Sequence, residues 1–420
     1  MNYAIVGFGA AGFQALKAIR ECGSEDRIDV YSDHRHPPYN PMLTTYYLKG
    51  KIPFQAMFPF GSLEEIRQTY QCRVYTETRI EALDAPRKTL RLQNGETRTY
   101  DRILLATGAS PVHLPVGDIP QDRIYVMRTV DDALRLKKTL DTGRIRRILV
   151  VGASWVGIKL VEVAWTLGIQ TVLSDLADHI FITSAFEKAS EKCEDYLRSE
   201  NVELHFGAKT EDCELRDGQC HIRFSDHTET DVDLVVMCVG IRPQCRWLDP
   251  GQLTMGRGIV VDKHMETSVH GIYAAGDCCE ANDLMLGAPR NIGLWANARA
   301  QGYTAGCNMA GCPTELEGNI LHNITHFMDM DFISFGDKTL PGERKVLLDD
   351  GRRYMEILTL DGHLQCINIL ENYELSGVIK NCIMKYFSKG KEPLNELEIG
   401  ILARSGLPNE LLRILGGMIQ

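Results

Sequence analysis

Nowhere in this chain does an apolar run approach the roughly 18 unbroken residues of a membrane-spanning helix, so none is expected. The opening stretch MNYAIVGFGAAGFQA has no basic start and its apolar run is broken by glycines, so it does not read as a secretory signal. Positive charge is not in excess. Lys and Arg number 46 against 56 Asp and Glu, a net charge of −10, which argues against nucleic acid as a partner. The short basic run Arg144, Arg146 and Arg147 reads as a solvated helix end or loop. None of the thirteen cysteines falls in a CxxC pair; they are scattered and odd in number. That pattern excludes a disulfide framework and lacks the clustered spacings of zinc or iron–sulfur ligation. It fits a reducing cytoplasm. His322 and His326 stand four residues apart, but in a stretch patterned like the entry to a strand, so no metal is expected.

What the chain does contain is an internal echo. Residues 3–12 read YAIVGFGAAG and residues 148–157 read ILVVGASWVG. Each is a β-branched apolar run, a glycine-rich turn and then a helical pattern. Each is followed by a short strand closed by an acid, IDVYSD at 28–33 and TVLSD at 171–175. A second echo pairs ILLATG at 103–108 with LVVMCVG at 234–240. The expectation is an α/β chain with two Rossmann-like dinucleotide-binding domains. The segment 265–277, METSVHGIYAAGD, reads as a further strand, and 291–311 as a helix. From about 321 the pattern alternates, as in FISFGD and HLQCINILEN, predicting antiparallel strands, with short helices from 391. This last part reads as a smaller C-terminal α+β domain used for assembly or for shielding a site.

The glycine-rich turns carry the chemistry. In Gly7-x-Gly9-x-x-Gly12, Gly7 permits the tight turn out of the strand, Gly9 lets backbone approach a pyrophosphate, and Gly12 lets the helix pack on the strand. The helix then presents free N–H groups and its positive end to the phosphates. Asp33, read as ending the next strand, is placed to accept from a ribose hydroxyl. The second turn is Gly152-x-Ser154-x-x-Gly157, with a small serine at the middle position and Asp175 as its acid. An acid there favours a free 2′-hydroxyl over a 2′-phosphate, hence NADH over NADPH. Gly276-Asp277 after GIYAA puts a carboxylate where a ribityl hydroxyl would bind.

Together, GFGAAG, ATGASP at 106–111, VVGASWVG, VGIRP at 239–243, TSVHGIYAAGD and WANARAQG at 295–302 carry a resemblance. The chain resembles the FAD-dependent pyridine nucleotide–disulfide oxidoreductase superfamily, nearest to NADH-dependent ferredoxin, rubredoxin and nitrite reductase flavoproteins, over residues 1 to about 340. The resemblance implies an FAD domain of 1–110 and 245–320, an NAD domain of 111–244 inserted within it, and the C-terminal domain at 321–420. It implies that FAD is held by Gly7, Gly9, Ala11, Gly12, Asp33, Ile80, Thr107, Gly108, Gly276 and Asp277, with Trp295 near the ring. NAD would be held by Gly152, Ser154, Val156, Gly157, Asp175 and Gly240. A homodimer through the C-terminal domain is implied in the same way.

The departures narrow the chemistry. Met42 stands where single-cysteine members carry their redox cysteine, so no thiol relay is expected there. Pro41 and Thr45 stand at or near positions where ferredoxin-reductase-like members carry an arginine and a lysine, and Lys159 stands where relatives carry a glutamate, with Glu162 one turn on as the minor alternative to take its place. Cys278 and Cys279 read as small buried residues at a helix start rather than a redox pair. The expected activity is hydride transfer from NADH to FAD, with electrons passing to an external small electron carrier or a partner reductase subunit. The alternatives are an NADH oxidase or NADH:quinone-type reductase, and a non-catalytic flavin-binding subunit or redox sensor. No protein side chain is assigned as catalytic.

Overall fold

The computed structural model describes every residue except 116, 118, 373–375 and 418–420. The chain divides into two compact units. One comprises Met1–Tyr47, Ile52–Ser110 and Ile241–Asn319; the other comprises Leu48–Lys51, Pro111–Gly240 and Ile320–Gln420.

The first unit is built on a five-stranded parallel sheet in the order Ile272–Ala274, Arg102–Leu105, Asn2–Val6, Arg27–Tyr31, Arg73–Tyr75. The second contains a parallel sheet ordered Glu203–Phe206, Gln170–Asp175, Arg147–Val151, Leu234–Met237, Ile124–Val126. In both, the strand that feeds the glycine-rich turn lies at the centre, with the acid-bearing strand on one side and a later strand on the other. The central strands read YAIV and ILVV because both faces are covered, in the second sheet by helix Trp155–Thr166 on one side and the antiparallel strands from Thr210 on the other, leaving no polar side to the pleat. Ile103, Leu104 and Leu105 are all fully buried in the first sheet, as are Leu149, Val150 and Val235 in the second. Each such side chain contributes about 1.5–3 kcal/mol. Both units also carry a three-stranded antiparallel meander, Ile80–Asp84 with its two successors and Thr210–Arg216 with its two.

Within the second unit, residues after 320 form a five-stranded antiparallel sheet ordered His322–Phe327, Met330–Gly336, His363–Leu370, Tyr354–Leu360, Glu343–Asp349, followed by helices Ser376–Ser388, Glu396–Arg404 and Asn409–Leu415. Phe327, Phe332, Tyr354 and Leu370 of this sheet share a core with Ile180, Phe181 and Leu197. His322 and His326 lie on a strand, and among the described residues no cluster is suited to hold a metal ion.

Several sequence-based boundaries shift. The strand expected to end at Asp33 ends at Tyr31, and the acid stands just beyond it. Only Ile272–Ala274 of the stretch 265–277 is strand, because Met265 takes a positive φ of 64° and a turn closes from Val269 to Ile272. The helix expected over 291–311 runs from Trp295 to Met309. Cys279 does not open a helix; it begins the strand Cys279–Asp283.

His322 sits almost wholly buried, its ring stacked on Phe335 at 6.1 Å and its Nδ1 3.1 Å from the Ile320 carbonyl. Burial, with Lys380 nearby, pushes its pKa down to about 4 from 6.5. The folded state therefore holds the ring neutral while the unfolded chain protonates it first. Stability is full above pH 6.5 and falls as pH drops toward 4, by about 3 kcal/mol in all. Urea unfolding across that window is expected to show this loss, and His322→Phe to remove most of it.

Candidate dinucleotide-binding sites

At the end of the strand Asn2–Val6 the chain turns through Gly7 at φ 101°, and the Gly7 N–H donates to the Tyr31 carbonyl at 2.8 Å. A Cβ there would lie 2.1 Å from the Ala106 carbonyl oxygen, so the turn admits no side chain. A Cβ on Gly12 would lie 2.1 Å from the Gly7 carbonyl oxygen. Gly9 differs. Its φ of −86° suits any residue, and a Cβ would meet nothing within 4 Å. Nothing within the protein requires glycine at 9. Gly9 is the N-cap of helix Ala10–Glu21 and offers no side-chain cap, so the first-turn amides of Ala10, Ala11 and Gly12 have no intrahelical acceptor.

Of the other motif residues of this unit, Gly276 lies at the same helix start. Gly276, at φ 82°, faces Ala11: a Cβ would be 3.3 Å from that of Ala11. Its N–H is held by the Gln301 side-chain oxygen at 2.8 Å. Asp277 follows, half-buried, with its carbonyl fixed by Asn291 at 2.8 Å. Thr107 bonds the Gln244 carbonyl at 2.7 Å, and Gly108 takes a φ of 71°. Asp33 is exposed, its carboxylate 3.4 Å from the His34 ring. Ile80 is buried at the start of the meander. Trp295 opens its helix, lies 6.2 Å from Phe60 in a stacked pair and has the Arg299 guanidinium 4.7 Å from its ring. The Trp295 indole N–H is buried without a hydrogen-bond partner. An orphaned donor, an uncapped helix start and an open space above Gly9 are what a bound dinucleotide would complete, so the residues present fit FAD.

The second turn repeats the first. Gly152 has φ 107°, donates to the Ser174 carbonyl at 2.7 Å, and a Cβ would come 2.4 Å from the Cys238 carbonyl oxygen. A Cβ on Gly157 would lie 1.9 Å from the Gly152 carbonyl oxygen. Ser154, at φ −94°, carries its side chain without backbone strain. Its hydroxyl donates to the Cys238 carbonyl at 3.1 Å and does not cap helix Trp155–Thr166, so the helix start remains open to phosphate. Val156 is exposed on the first turn, and Gly240 takes φ 101° with nothing near its Cα face. Asp175 is half-buried and engaged: one carboxylate oxygen accepts from the Ala153 N–H at 2.7 Å and the other from the Ala177 N–H at 3.0 Å. A carboxylate has about four acceptor positions, so room remains for a ribose hydroxyl.

With both cradles described, the comparisons have a place. The family model for pyridine nucleotide-disulphide oxidoreductases matches residues 1–302. This chain belongs to that family. It is a flavin oxidoreductase that uses FAD and NADH. The epsilon subunit of NADH-dependent phenylglyoxylate dehydrogenase from Aromatoleum evansii is 28% identical over 391 residues, 91% of each chain. Rubredoxin-NAD(+) reductase of Pseudomonas putida is 25% identical over 345 residues, covering 79% of this chain and 88% of its own. Among solved structures, the water-forming NADH oxidase from Lactobacillus brevis bound to NADH superposes with a TM-score of 0.86 at 21% identity, over 97% of this chain and 99% of its own.

The family is named for a disulphide, yet all thirteen cysteines here are free thiols. Met42 is 58% exposed, and no cysteine lies between Cys22 and Cys72. The Cys278 thiol donates to the Leu105 and Ala275 carbonyls at 3.3 and 3.4 Å, and that of Cys279 to Gln301 Oε1 at 3.5 Å. Burial pushes Cys278 up to about 11 and Cys279 well above its ordinary value. Neither is a poised nucleophile.

Sequence reasoning missed one partner. Lys49, with only 1% of its side chain exposed, pairs with Glu162 at 2.8 Å, and Lys159 closes on the other Glu162 oxygen while donating to the His326 carbonyl at 2.6 Å. Glu162 is thus held between two lysines. Burial raises its pKa, but Lys159 and Lys49 outweigh that, and the net shift is downward. The stability it confers is full above its ordinary value and is lost as pH falls through the lowered one. Glu162→Leu removes the carboxylate that both ammonium groups meet, one of them buried. The expected cost is about 3–5 kcal/mol in chemical denaturation, and a loss below 1 kcal/mol would contradict this assignment.

Proposed function

We propose that this chain is the NADH-oxidising flavin component of a redox system whose acceptor is a separate iron–sulfur protein, either a small ferredoxin- or rubredoxin-type carrier or a partner reductase subunit. The observation that carries the reading is the pair of open helix starts, above Gly9 and at Ser154, each closed on its protein side by glycines that admit no side chain.

In this reading the amides at Ala10–Gly12 hold the FAD pyrophosphate, Asp33 accepts from its ribose, Asp277 binds the ribityl chain, and the Trp295 N–H finds its missing acceptor. Ile80, Thr107, Gly108 and Gly276 line the same site. The first turn of helix Trp155–Thr166, with Gly152, Ser154, Val156 and Gly157, holds the NADH pyrophosphate, while Asp175 accepts from the 2′-hydroxyl and repels a 2′-phosphate. Gly240 leaves room beside it. Bound there, FAD supplies acceptance of a hydride from the nicotinamide and release of electrons one or two at a time. The protein positions and shields; with Met42 in place of a cysteine and Cys278 and Cys279 sequestered, it offers no thiol to take the electrons next. The acceptor is therefore external.

The phenylglyoxylate dehydrogenase epsilon subunit, similar over 91% of both chains, supports a subunit role, and the rubredoxin reductase a carrier role. The NADH oxidase likeness favours oxygen as a second reading. Free thiols throughout support a reducing cytoplasmic location, and no described helix is long and apolar enough to cross a membrane. A homodimer through residues 321–420 belongs to the same proposal.

Steady-state turnover with NADH separates the readings. A small iron–sulfur protein is expected to be reduced at least about tenfold faster than oxygen, and NADPH to be a poor donor. Rapid turnover with oxygen alone would give the second reading precedence.

A further inference from the structure

Three cysteines that this chemistry does not use meet at the far end of the helix pair Ala10–Glu21 and Trp295–Met309. The helices touch backbone to backbone. A Cβ on Gly302 would lie 2.1 Å from the Ala11 carbonyl oxygen, and one on Gly306 2.5 Å from that of Ala15 and 2.8 Å from the Ala18 Cβ. The contacts advance together along both helices, so the two run parallel and end together. Cys22 caps the first, its N–H donating to the Ala18 carbonyl at 2.9 Å. Beyond the second, the chain folds back and the Cys312 N–H donates to the Cys307 carbonyl at 2.9 Å. That turn brings Cys312 back beside Cys307 at the end where Cys22 caps the first helix, and both thiols lie near enough to Cys22 to push its pKa up. Cys22 and Cys312 are half-buried, within reach of a small solute, while Cys307 is buried.

We infer that Cys22 and Cys312 are an oxidation site that closes to a disulfide, stapling the C-terminal ends of the two helices. The oxidant is a hydroperoxide, the simplest being hydrogen peroxide. One sulfur attacks the O–O bond, which breaks to leave a sulfenic acid and one water. The second thiol then displaces the hydroxyl as another water. Two thiols and one hydrogen peroxide thus give one disulfide and two waters, with two electrons passing from sulfur to oxygen. Burial and the neighbouring thiols push Cys22 up to about 12, so at neutral pH the pair stays reduced until oxidant is in excess. The opposite ends of the same helices carry the Gly9 cradle and Trp295, so the staple holds those ends in register.

The test treats the reduced, FAD-loaded full chain with hydrogen peroxide, blocks free thiols with an alkylating agent and digests it without reductant for mass spectrometry. The expected product is a Cys22–Cys312 cross-linked peptide pair. It should come with a rise of about 5 °C in melting temperature that dithiothreitol reverses. Cys312→Ser should lose both cross-link and rise, and Cys307→Ser should keep both. Over-oxidation of Cys22 to a sulfinic acid without a cross-link, or a bridge to Cys307 instead, would overturn the assignment. Neither readout depends on turnover, so failure here leaves the proposed function standing.

Discussion

Gly9→Ala is expected to yield a folded protein that has lost its flavin, while Gly7→Ala is expected to lose both flavin and stability. The two glycines belong to one motif but answer to different constraints. At Gly7 a Cβ would stand 2.1 Å from a backbone oxygen, at a φ of 101° that L residues rarely take. Backbone strain alone costs about 1–3 kcal/mol, and the clash carries the total to about 4 kcal/mol or more. At Gly9 the φ is −86° and no protein atom lies within 4 Å of the added carbon. The methyl group therefore costs the fold almost nothing, within about 0.5 kcal/mol. It occupies the space through which a pyrophosphate must reach the helix amides, which weakens FAD by about 10- to 100-fold. Flavin absorbance per protein and urea denaturation of the two variants read both effects. A Gly9→Ala protein that keeps its FAD at wild-type affinity would remove the pyrophosphate from this helix start.

The second large effect is at Asp175. Its carboxylate already accepts from the Ala153 and Ala177 amides, tying the glycine-rich turn to the end of the strand Gln170–Asp175. Asp175→Ala removes the turn's anchor and the acceptor for a ribose hydroxyl at once. Charge-assisted hydrogen bonds of this kind are worth about 1.5–3 kcal/mol each. KM for NADH is expected to rise about 10- to 100-fold. Asp175→Asn keeps the shape and an acceptor but drops the charge that opposes a 2′-phosphate. Its preference for NADH over NADPH, as a ratio of kcat/KM, is expected to fall by about tenfold. An unchanged ratio in both variants would place the adenosine ribose elsewhere.

Much of this was legible before any coordinates. The two glycine motifs, the acids that follow them and the later strands ending in glycine are local patterns, each set by a backbone conformation that only certain residues adopt. The antiparallel strands after residue 321 show themselves by short alternating runs, although Met330–Gly336, Tyr354–Leu360 and His363–Leu370 are buried on both faces. What was not legible depends on distant contacts. Ser32 and Asp33 follow Tyr31, and the mixed run METSVHG precedes Ile272; there the hydrogen bonding to neighbouring strands, not the motif that ends in an acid, sets the strand ends. Cys279 follows a glycine-acid turn as a helix start often does, but pairing across to Ile259 makes it a strand. The Lys49–Glu162 pair joins residues with no sequence signal connecting them, because a buried lysine looks the same in a sequence as an exposed one. The meeting of Cys22 with Cys307 and Cys312 follows from helix packing over most of the chain length.

The central claim is that the chain has one redox centre, reduced by NADH bound at a second cradle. Anaerobic titration of the yellow protein with NADH, followed by visible absorbance, tests it directly. The expected result is complete bleaching at about one NADH per FAD, with no new long-wavelength absorbance. A second equivalent consumed, or such absorbance appearing, would show a thiol taking part and contradict the sequestered roles of Cys278 and Cys279. No bleaching by NADH or NADPH would contradict the account as a whole.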